Sequence, residues 1–296
     1  MILLDGAKVA NERNLMLKEM IEKDILVYNR PPSLSIILVG ENPASQSYVK
    51  GKGKACKLVG IDHQLYNLND DVSEDELSSL IEKLNNDDSV DGILLQLPIP
   101  KHLNESMLID LISKDKDADG FHVINQGYLY QKKPTIYPAT PKGIMTLLKA
   151  YDITVSGMDA VVIGRSNIVG FPVARLLMDS GATITVCHRQ TKDLAAHTKN
   201  ADLLIVSAGR AELVTKDMVK PGAIVVDVGV NRVDGKLVGD VHFESVSEVA
   251  SYLSPVPKGV GPMTINALME NTYDLYLKHV KNRKFDAFSP VLKRNI

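Results

Sequence analysis

Cysteine and tryptophan are scarce in this chain of 296 residues, which contains two cysteines and no tryptophan. Cys56 and Cys187 belong to no CxxC pair and have no histidine at ligand spacing. Neither a disulfide framework nor a zinc site is therefore indicated, and no bound metal is predicted. This use of cysteine favours a reducing cytoplasm.

A large excess of charge of one sign is also missing. The 34 lysines and arginines are balanced by 36 acidic residues, which leaves a net charge of −2. This balance argues against a dedicated nucleic-acid binder. With 45% hydrophobic and 24% charged residues, the composition is that of an ordinary globular protein. The length predicts two domains of roughly 100 to 200 residues.

Long hydrophobic runs are absent as well. Apolar stretches such as Ser35–Val39 and Ile93–Leu95 are far shorter than the ~18 residues that a bilayer span requires, so we expect no membrane segment. Asp5 interrupts the apolar start of the sequence, and no basic region precedes it. A secretory signal is therefore not expected.

Short β-branched runs alternate with amphipathic helical patterns along the chain. Strands are predicted at 34–39, 64–68, 92–97, 160–163, 183–187, 203–207 and 223–228, and helices at 74–85, 143–150, 171–180 and 193–200. Nearly continuous apolar strands joined by helices predict a mostly parallel sheet that is covered on both faces. The fold class is therefore α/β.

Two clusters of prolines, at 134–141 and 255–262, are interpreted as hinges. The segment between them, 141–263, contains four strands in succession and resembles a doubly wound nucleotide-binding domain. Residues 1–140 form a second α/β domain, on which a C-terminal helix at about 264–296 is expected to pack. Residues 283–296 are a mildly basic tail that we expect to be poorly ordered.

The segment after Asn42 predicts a helix with one lysine on an unexpected side. Asn42 can cap the helix and Pro43 can occupy its first position. At 100° per residue Lys52 shares a sector with Tyr48, Ala55, Cys56 and Val59, whereas Lys50, Lys54 and Lys57 fall opposite. Lys52 is either a lysine whose stem covers apolar surface or a catalytic amine whose pKa is lowered by desolvation.

Three further polar residues lie near predicted strand ends or turns. Gln96 interrupts an apolar strand, so it either bonds neighbouring backbone or faces the same cleft as Lys52. Asp117 and Asp119 precede a glycine, a pattern typical of a turn, but a carboxylate there could also accept hydrogen bonds from a substrate with adjacent N–H donors. His122 and the other histidines are interpreted as structural.

A strand at 160–163 runs into a glycine loop, Gly164–Gly170, and then into a helix. This context suits a pyrophosphate at a helix N-terminus, although Ser166 occupies the position of the middle glycine of GxGxxG; a tight turn without a ligand is the alternative. The stretch 187–191 lacks the acid that usually binds the ribose of NAD. Arg165 and Arg189 could instead bracket a 2′-phosphate, which favours NADP.

Five motifs, in this order and over nearly the whole chain, resemble the bifunctional methylenetetrahydrofolate dehydrogenase/cyclohydrolase family. They are Tyr48–Cys56 with Gly60-Ile61, Gly92–Pro98, Lys116–His122, Gly164–Gly170 and Gly259–Thr264. The resemblance implies two α/β domains around a folate cleft, residues 1–140 being the catalytic domain and 141–263 a Rossmann-like NADP-binding domain. It also implies a homodimer formed through the latter.

The resemblance also implies roles for single residues. The lysine matching Lys52 is the key catalytic residue, and the glutamine matching Gln96 bonds and tunes it. The tyrosine matching Tyr48 contacts the folate, and the aspartate matching Asp119 anchors the pterin. Other expected substrate contacts are Leu95, Leu97, Pro257, Gly259 and Gly261. Expected cofactor contacts are Thr140, Gly164, Arg165, Ser166, Ile168, Arg189, Val230 and Thr264.

Three positions depart from the family pattern. Ala139 replaces a cysteine and Arg189 replaces a serine, which alters a cofactor contact. Lys258 replaces a glycine, so the loop must adjust if that position needs a positive φ.

The resemblance implies an enzyme that oxidises 5,10-methylenetetrahydrofolate with NADP and hydrolyses the methenyl product to 10-formyltetrahydrofolate. Its expected partner is the reduced folate, with no nucleic acid and no membrane. Alternatives are a dehydrogenase without hydrolysis or one that uses NAD, a two-domain dehydrogenase of a small hydroxy acid, and a non-catalytic nucleotide-binding module.

Overall fold

The structure, a computed structural model, describes residues 1–281, and the predicted tail at 283–296 lies outside them. The chain forms two compact units. Of the described residues, the lysine unit comprises Glu12–Ala139 and 265–281, and the glycine-loop unit comprises Met1–Asn11 and Thr140–Thr264. The first eleven residues, expected within the domain 1–140, belong instead to the glycine-loop unit, because Ile2–Leu3 form a strand of its sheet.

The lysine unit is built on a parallel sheet of three strands in the order β3-β2-β4. The strands are β2 (Ser33–Val39), β3 (Asp62–Leu68) and β4 (Gly92–Leu95), and the helices are α2 (Pro43–Val59), α3 (Glu74–Asn85), α4 (Glu105–Leu111) and α5 (Val123–Tyr130). Parts of α1 (Gly6–Tyr28) and α10 (Val260–Lys281) complete the unit.

The central strand β2 explains the continuous apolar run in the sequence. Leu34, Ile36 and Leu38 pack in a core with residues of α1, α2 and α10. Ile37 and Val39 point to the other face and pack with residues of α3 and α4. Because both faces are covered, the run from Ile36 to Val39 is apolar without interruption, and Ser35 before it is buried as well.

The glycine-loop unit contains a parallel sheet of six strands in the order β1-β11-β8-β7-β5-β6. The strands are β1 (Ile2–Leu3), β5 (Asp159–Ile163), β6 (Thr183–Cys187), β7 (Leu203–Val206), β8 (Ile224–Asp227) and β11 (Tyr252–Leu253). The helices are α6 (Ala139–Ala150), α7 (Gly170–Asp179), α8 (Leu194–Thr198) and α9 (Phe243–Ser247), and β9 (Asn231–Val233) and β10 (Lys236–Val238) form a hairpin.

The strand order places a topological switch point beside β5, since the chain continues to β6 on one side and to β7 on the other. Ligands of doubly wound sheets bind at the carboxyl ends of the strands at such a point. The glycine loop leaves β5 at this edge. Within residues 1–281, no helix combines the length and the apolar character of a membrane span.

Candidate active site

The buried lysine predicted from the helical wheel is present on α2. Lys52 is only 6% exposed, whereas Lys50, Lys54 and Lys57 are exposed. Tyr48, one turn before Lys52, is half-buried. The prediction that Lys52 alone faces inward is confirmed.

Gln96 holds the amine of Lys52. Lys52 Nζ donates to Gln96 Oε1 over 2.9 Å, and Gln96 Nε2 donates to the carbonyl of Leu97 over 2.8 Å. The backbone N–H of Gln96 continues the sheet by donating to the carbonyl of Ile37. Because the carboxamide is fixed on both sides, its oxygen points at the lysine, and both interpretations of Gln96 from the sequence apply.

Burial shifts the proton affinities of this site. Desolvation lowers the pKa of Lys52, an effect that the charge of Asp119 partly offsets. Desolvation raises the pKa of Asp119 to about 6, although the residue keeps some exposed surface, and Lys52 acts in the opposite direction. Burial also raises the pKa of the Cys56 thiol to about 12, so Cys56 is a neutral neighbour. A lysine with a lowered pKa gives up its proton more readily than a solvated lysine does, which suits it to proton transfer.

Asp117 and Asp119 have different environments. The buried carboxylate of Asp117 accepts from the backbone N–H groups of Gly120, Phe121 and His122 at 2.9 to 3.1 Å and from Asn125 Nδ2 at 2.8 Å. Asp117 therefore shapes the turn. Among the described residues none donates a hydrogen bond to the carboxylate of Asp119, which remains available to a ligand.

The remaining predicted substrate residues fall into two groups. Leu95 ends β4 and is buried, and Leu97 follows it, so both adjoin Gln96. Pro257, Gly259 and Gly261 belong to the glycine-loop unit. His122 has a structural role, as predicted, because its Nδ1 accepts from the N–H of Ile124 at the start of α5.

Lys258, in the loop before α10, occupies a position where the family usually has glycine. Lys258 has φ +84°, so this position does need the left-handed region, and the lysine adopts it. The carbonyl of Lys258 accepts from the N–H of Ala7 at 2.9 Å. A Cβ on Gly259 would lie 2.4 Å from the carbonyl oxygen of Pro255, so this residue must be glycine.

The glycine loop is shaped to receive a phosphate group. Gly164 has φ +118°, and a Cβ there would lie 2.3 Å from the carbonyl oxygen of Ser207. A Cβ on Gly170 would lie 2.2 Å from the carbonyl oxygen of Gly164. Ser166, at the position of the middle glycine of GxGxxG, stabilises the loop because its Oγ accepts from the N–H groups of Val169 and Gly170. The residues thus fit a pyrophosphate at the start of α7.

The two arginines expected at the 2′-phosphate lie on neighbouring loops. Arg165 Nη2 donates to Gln190 Oε1 at 3.4 Å, which brings the glycine loop next to the turn that carries Arg189. Both arginines are exposed. Of the other predicted cofactor residues, Thr140 and Thr264 are joined through their hydroxyls at 3.0 Å, and Val230 is 44% exposed.

Sequence reasoning missed two buried aspartates at this sheet edge, Asp227 and Asp240. Asp227 could have been recognised from the sequence, because an acidic residue ends an otherwise apolar predicted strand. Within residues 1–281, no group of three or more His, Cys, Asp or Glu side chains is arranged to hold a metal ion.

Two family models match the chain: "Tetrahydrofolate dehydrogenase/cyclohydrolase, catalytic domain" over residues 4–119 and its "NAD(P)-binding domain" over residues 138–280. The bifunctional protein FolD of Acholeplasma laidlawii is 52% identical over 280 residues, which are 95% of this chain and 100% of that protein.

Solved structures agree with these matches. The FolD methylenetetrahydrofolate dehydrogenase/cyclohydrolase of Campylobacter jejuni has a TM-score of 0.91 and 51% identity, covering 96% of this chain and 100% of its own. The Trypanosoma brucei enzyme, solved with NADP and an inhibitor, has a TM-score of 0.90 and 34% identity, covering 95% and 98%.

Proposed function

Because the chain belongs to the tetrahydrofolate dehydrogenase/cyclohydrolase family, we propose that it oxidises 5,10-methylenetetrahydrofolate with NADP and then hydrolyses 5,10-methenyltetrahydrofolate to 10-formyltetrahydrofolate. The observation that carries this proposal is the buried amine of Lys52, bonded to Gln96 at 2.9 Å. The same chain carries a nucleotide loop. One chain therefore has the parts for both reactions.

Lys52 acts in the hydrolytic step. Water attacks the cationic methenyl carbon and must lose a proton as the bond forms. The lowered pKa of Lys52 makes the neutral amine more accessible than in a solvated lysine, and in that form the amine can accept the proton without repelling a cationic substrate. Gln96 fixes the position of the amine, so the proton acceptor is oriented before the substrate binds.

Asp119 and Tyr48 bind the folate. The pterin ring carries adjacent N–H donors, and the carboxylate of Asp119 is free to accept from them in a partly buried setting where such bonds are strong. Tyr48 offers its half-buried ring to the rest of the substrate. Leu95 and Leu97 contribute apolar contacts beside Gln96, and Pro257, Gly259 and Gly261 supply backbone contacts.

The glycine-loop unit holds the nucleotide. NADP, when bound, accepts the hydride from the one-carbon bridge of the substrate. Gly164, Ser166 and Ile168 receive its pyrophosphate, and Arg165 and Arg189 bind its 2′-phosphate through charge-assisted hydrogen bonds. Thr140, Val230 and Thr264 complete the contacts to the nucleotide.

We also infer a homodimer formed through the glycine-loop unit and a cytoplasmic location, without nucleic-acid or membrane partners. The family resemblance supports the dimer, and two buried free cysteines support the reducing compartment. Sedimentation equilibrium of the purified protein tests the dimer, which a single monomeric species would exclude.

The proposed oxidation is tested by supplying purified protein with 5,10-methylenetetrahydrofolate and either NADP or NAD. We expect reduction of the nucleotide with NADP and a slower reaction with NAD. Malate, as a small hydroxy acid, serves as the control substrate and should give no reduction. Turnover of malate, or no turnover of the folate with either nucleotide, would overturn the proposal.

A further inference from the structure

Two aspartates are buried side by side at the carboxyl end of β8, and the reaction as described uses neither of them. Asp227, the last residue of β8, is 3% exposed, and Asp240, which follows the hairpin β9–β10, is fully buried. Two adjacent buried acids are costly: burial, with a smaller contribution from the charge of Asp240, raises the pKa of Asp227 to about 6. Packing alone would favour apolar residues here.

Asp227 organises the start and the end of the segment that contains the hairpin. Its Oδ1 accepts from the N–H groups of Gly229 at 3.0 Å and Asp240 at 2.9 Å, and its Oδ2 accepts from the N–H of Val241 at 3.0 Å. A Cβ on Gly239 would lie 1.7 Å from Asp227 Oδ2. The carboxylate therefore occupies space that a side chain at 239 would need.

Asp240 joins two further segments. Its Oδ2 accepts from the consecutive N–H groups of Ala208 at 2.6 Å and Gly209 at 2.8 Å, beyond the carboxyl end of β7. Its Oδ1 accepts from Asn231 Nδ2 at 2.9 Å. A Cβ on Gly229 would lie 2.2 Å from this carboxylate. The two acids together thus hold the segments 207–209 and 228–231, which we call the paired straps.

The paired straps lie next to the glycine loop. The N–H of Ser207 donates to the carbonyl of Ile163 at 2.7 Å, and the carbonyl of Ser207 fills the space beside Gly164. The N–H of Val228 donates to the carbonyl of Val206 at 2.8 Å, so the second strap follows the first. Val230 is exposed between two anchored neighbours, Gly229 on Asp227 and Asn231 on Asp240. The straps therefore border the place where the nucleotide is proposed to bind.

We propose that Asp227 and Asp240 are positioning residues for the nucleotide: by taking the N–H groups of both straps inward, they fix one backbone arrangement beside the glycine loop. This inference rests on the proposed function, since it assumes a nucleotide at this sheet edge. A prearranged loop binds more tightly because less conformational freedom is lost on binding.

The test compares Asp240→Asn with Asp202→Asn. Asp202 lies in the same unit and also accepts a backbone N–H, from Asp159 at 3.0 Å, but it bonds Lys220 and lies at the opposite edge of the sheet. In Asp240→Asn the amide NH₂ cannot accept a hydrogen bond, so either the N–H groups of Ala208 and Gly209 or the Nδ2 of Asn231 lose their acceptor. We expect NADP binding, measured by calorimetry without a folate, to weaken by about tenfold or more. Asp202→Asn should bind as wild type does.

Hydrogen exchange and thermal unfolding separate positioning from general stability. In Asp240→Asn, the amides of Ala208 and Gly209, which donate to Asp240, should lose protection while those of β5 and β7 keep theirs. If Asp240→Asn does not fold, Asn231→Ala, which removes one contact of Asp240 and leaves both acids, should weaken NADP binding several-fold. Unchanged NADP affinity in the variant that folds would overturn the inference. Failure of the wild type to bind NADP would instead overturn the proposed function.

Discussion

Replacing Lys52 by methionine keeps the length and the apolar stem of the side chain and removes only the amine. The amine is buried, bonded to Gln96 at 2.9 Å, and without a second lysine on its side of α2 that could replace it. General acid or base assistance contributes about 10²- to 10⁴-fold to a reaction rate. Hydrolysis of methenyltetrahydrofolate should therefore fall by an amount on that order.

The matched control is Lys50→Met, because Lys50 lies on the exposed side of the same helix. The decay of the methenyl absorbance is followed for wild type and both variants at one protein concentration. Lys50→Met should retain nearly the full rate. If the two variants hydrolyse the substrate equally well, Lys52 is not the proton acceptor.

The same variant makes a linked prediction about stability. Burial lowers the pKa of Lys52 in the folded protein, so between that pKa and the ordinary lysine value near 10.5 the unfolded chain binds more protons. The wild type therefore gains stability as pH rises through this range, whereas Lys52→Met gains none from this position. Urea unfolding at increasing pH should show that the variant becomes less stable relative to wild type as the pH rises toward 10.5. A constant difference would contradict the lowered pKa.

Three further predictions concern other parts of the molecule. The pKa of Asp119 is raised to about 6, so a tight-binding folate analogue should lose affinity below that pH. Calorimetry between pH 5 and 8 should show that Asp119→Asn binds the analogue weakly and that its affinity depends less on pH. An unchanged pH dependence of the affinity would contradict this role. Arg189→Ser should weaken NADP binding several-fold and leave the affinity for NAD nearly unchanged, because the exposed guanidinium makes charge-assisted bonds to the 2′-phosphate. The loss of NADP affinity should be smaller at high salt. Equal changes in affinity for both nucleotides would exclude this role. Asp91→Ala removes a buried carboxylate that Arg30 binds through two nitrogens at 2.7 Å. Urea unfolding should show that the free energy of unfolding falls by about 2 to 3 kcal/mol, while the affinity for NADP stays the same. A fall below about 0.5 kcal/mol would show that this ion pair does not stabilise the fold.

The regular elements were predictable where one apolar stripe or run serves one core. The helix expected at 74–85 and the strand expected at 183–187 have those bounds in the structure. Helix α1 was missed because its apolar residues serve two cores: Val9 and Ala10 pack in one unit, and Leu17 and Ile21 pack in the other. No single stripe runs along it, so periodicity is weak.

The candidate site was predictable only where the signal is local. The helical wheel identified Lys52, but nothing local could show that Gln96, 44 residues later, accepts from its amine. Residue spacing does not distinguish Asp117 from Asp119 within the turn, and only the family resemblance assigned the pterin contact to Asp119. From the sequence, Asp240 is indistinguishable from an ordinary turn residue, because the N–H groups that it accepts from, those of Ala208 and Gly209, lie about thirty residues away.

The central claim is that one chain performs both reactions, and a stoichiometric time course tests it most directly. Purified protein is incubated with 5,10-methylenetetrahydrofolate and NADP while NADPH, the methenyl compound and 10-formyltetrahydrofolate are measured together. The account predicts that 10-formyltetrahydrofolate rises with NADPH toward equal amounts, faster than the methenyl compound hydrolyses without enzyme. Accumulation of the methenyl compound, with decay at the enzyme-free rate, would contradict it.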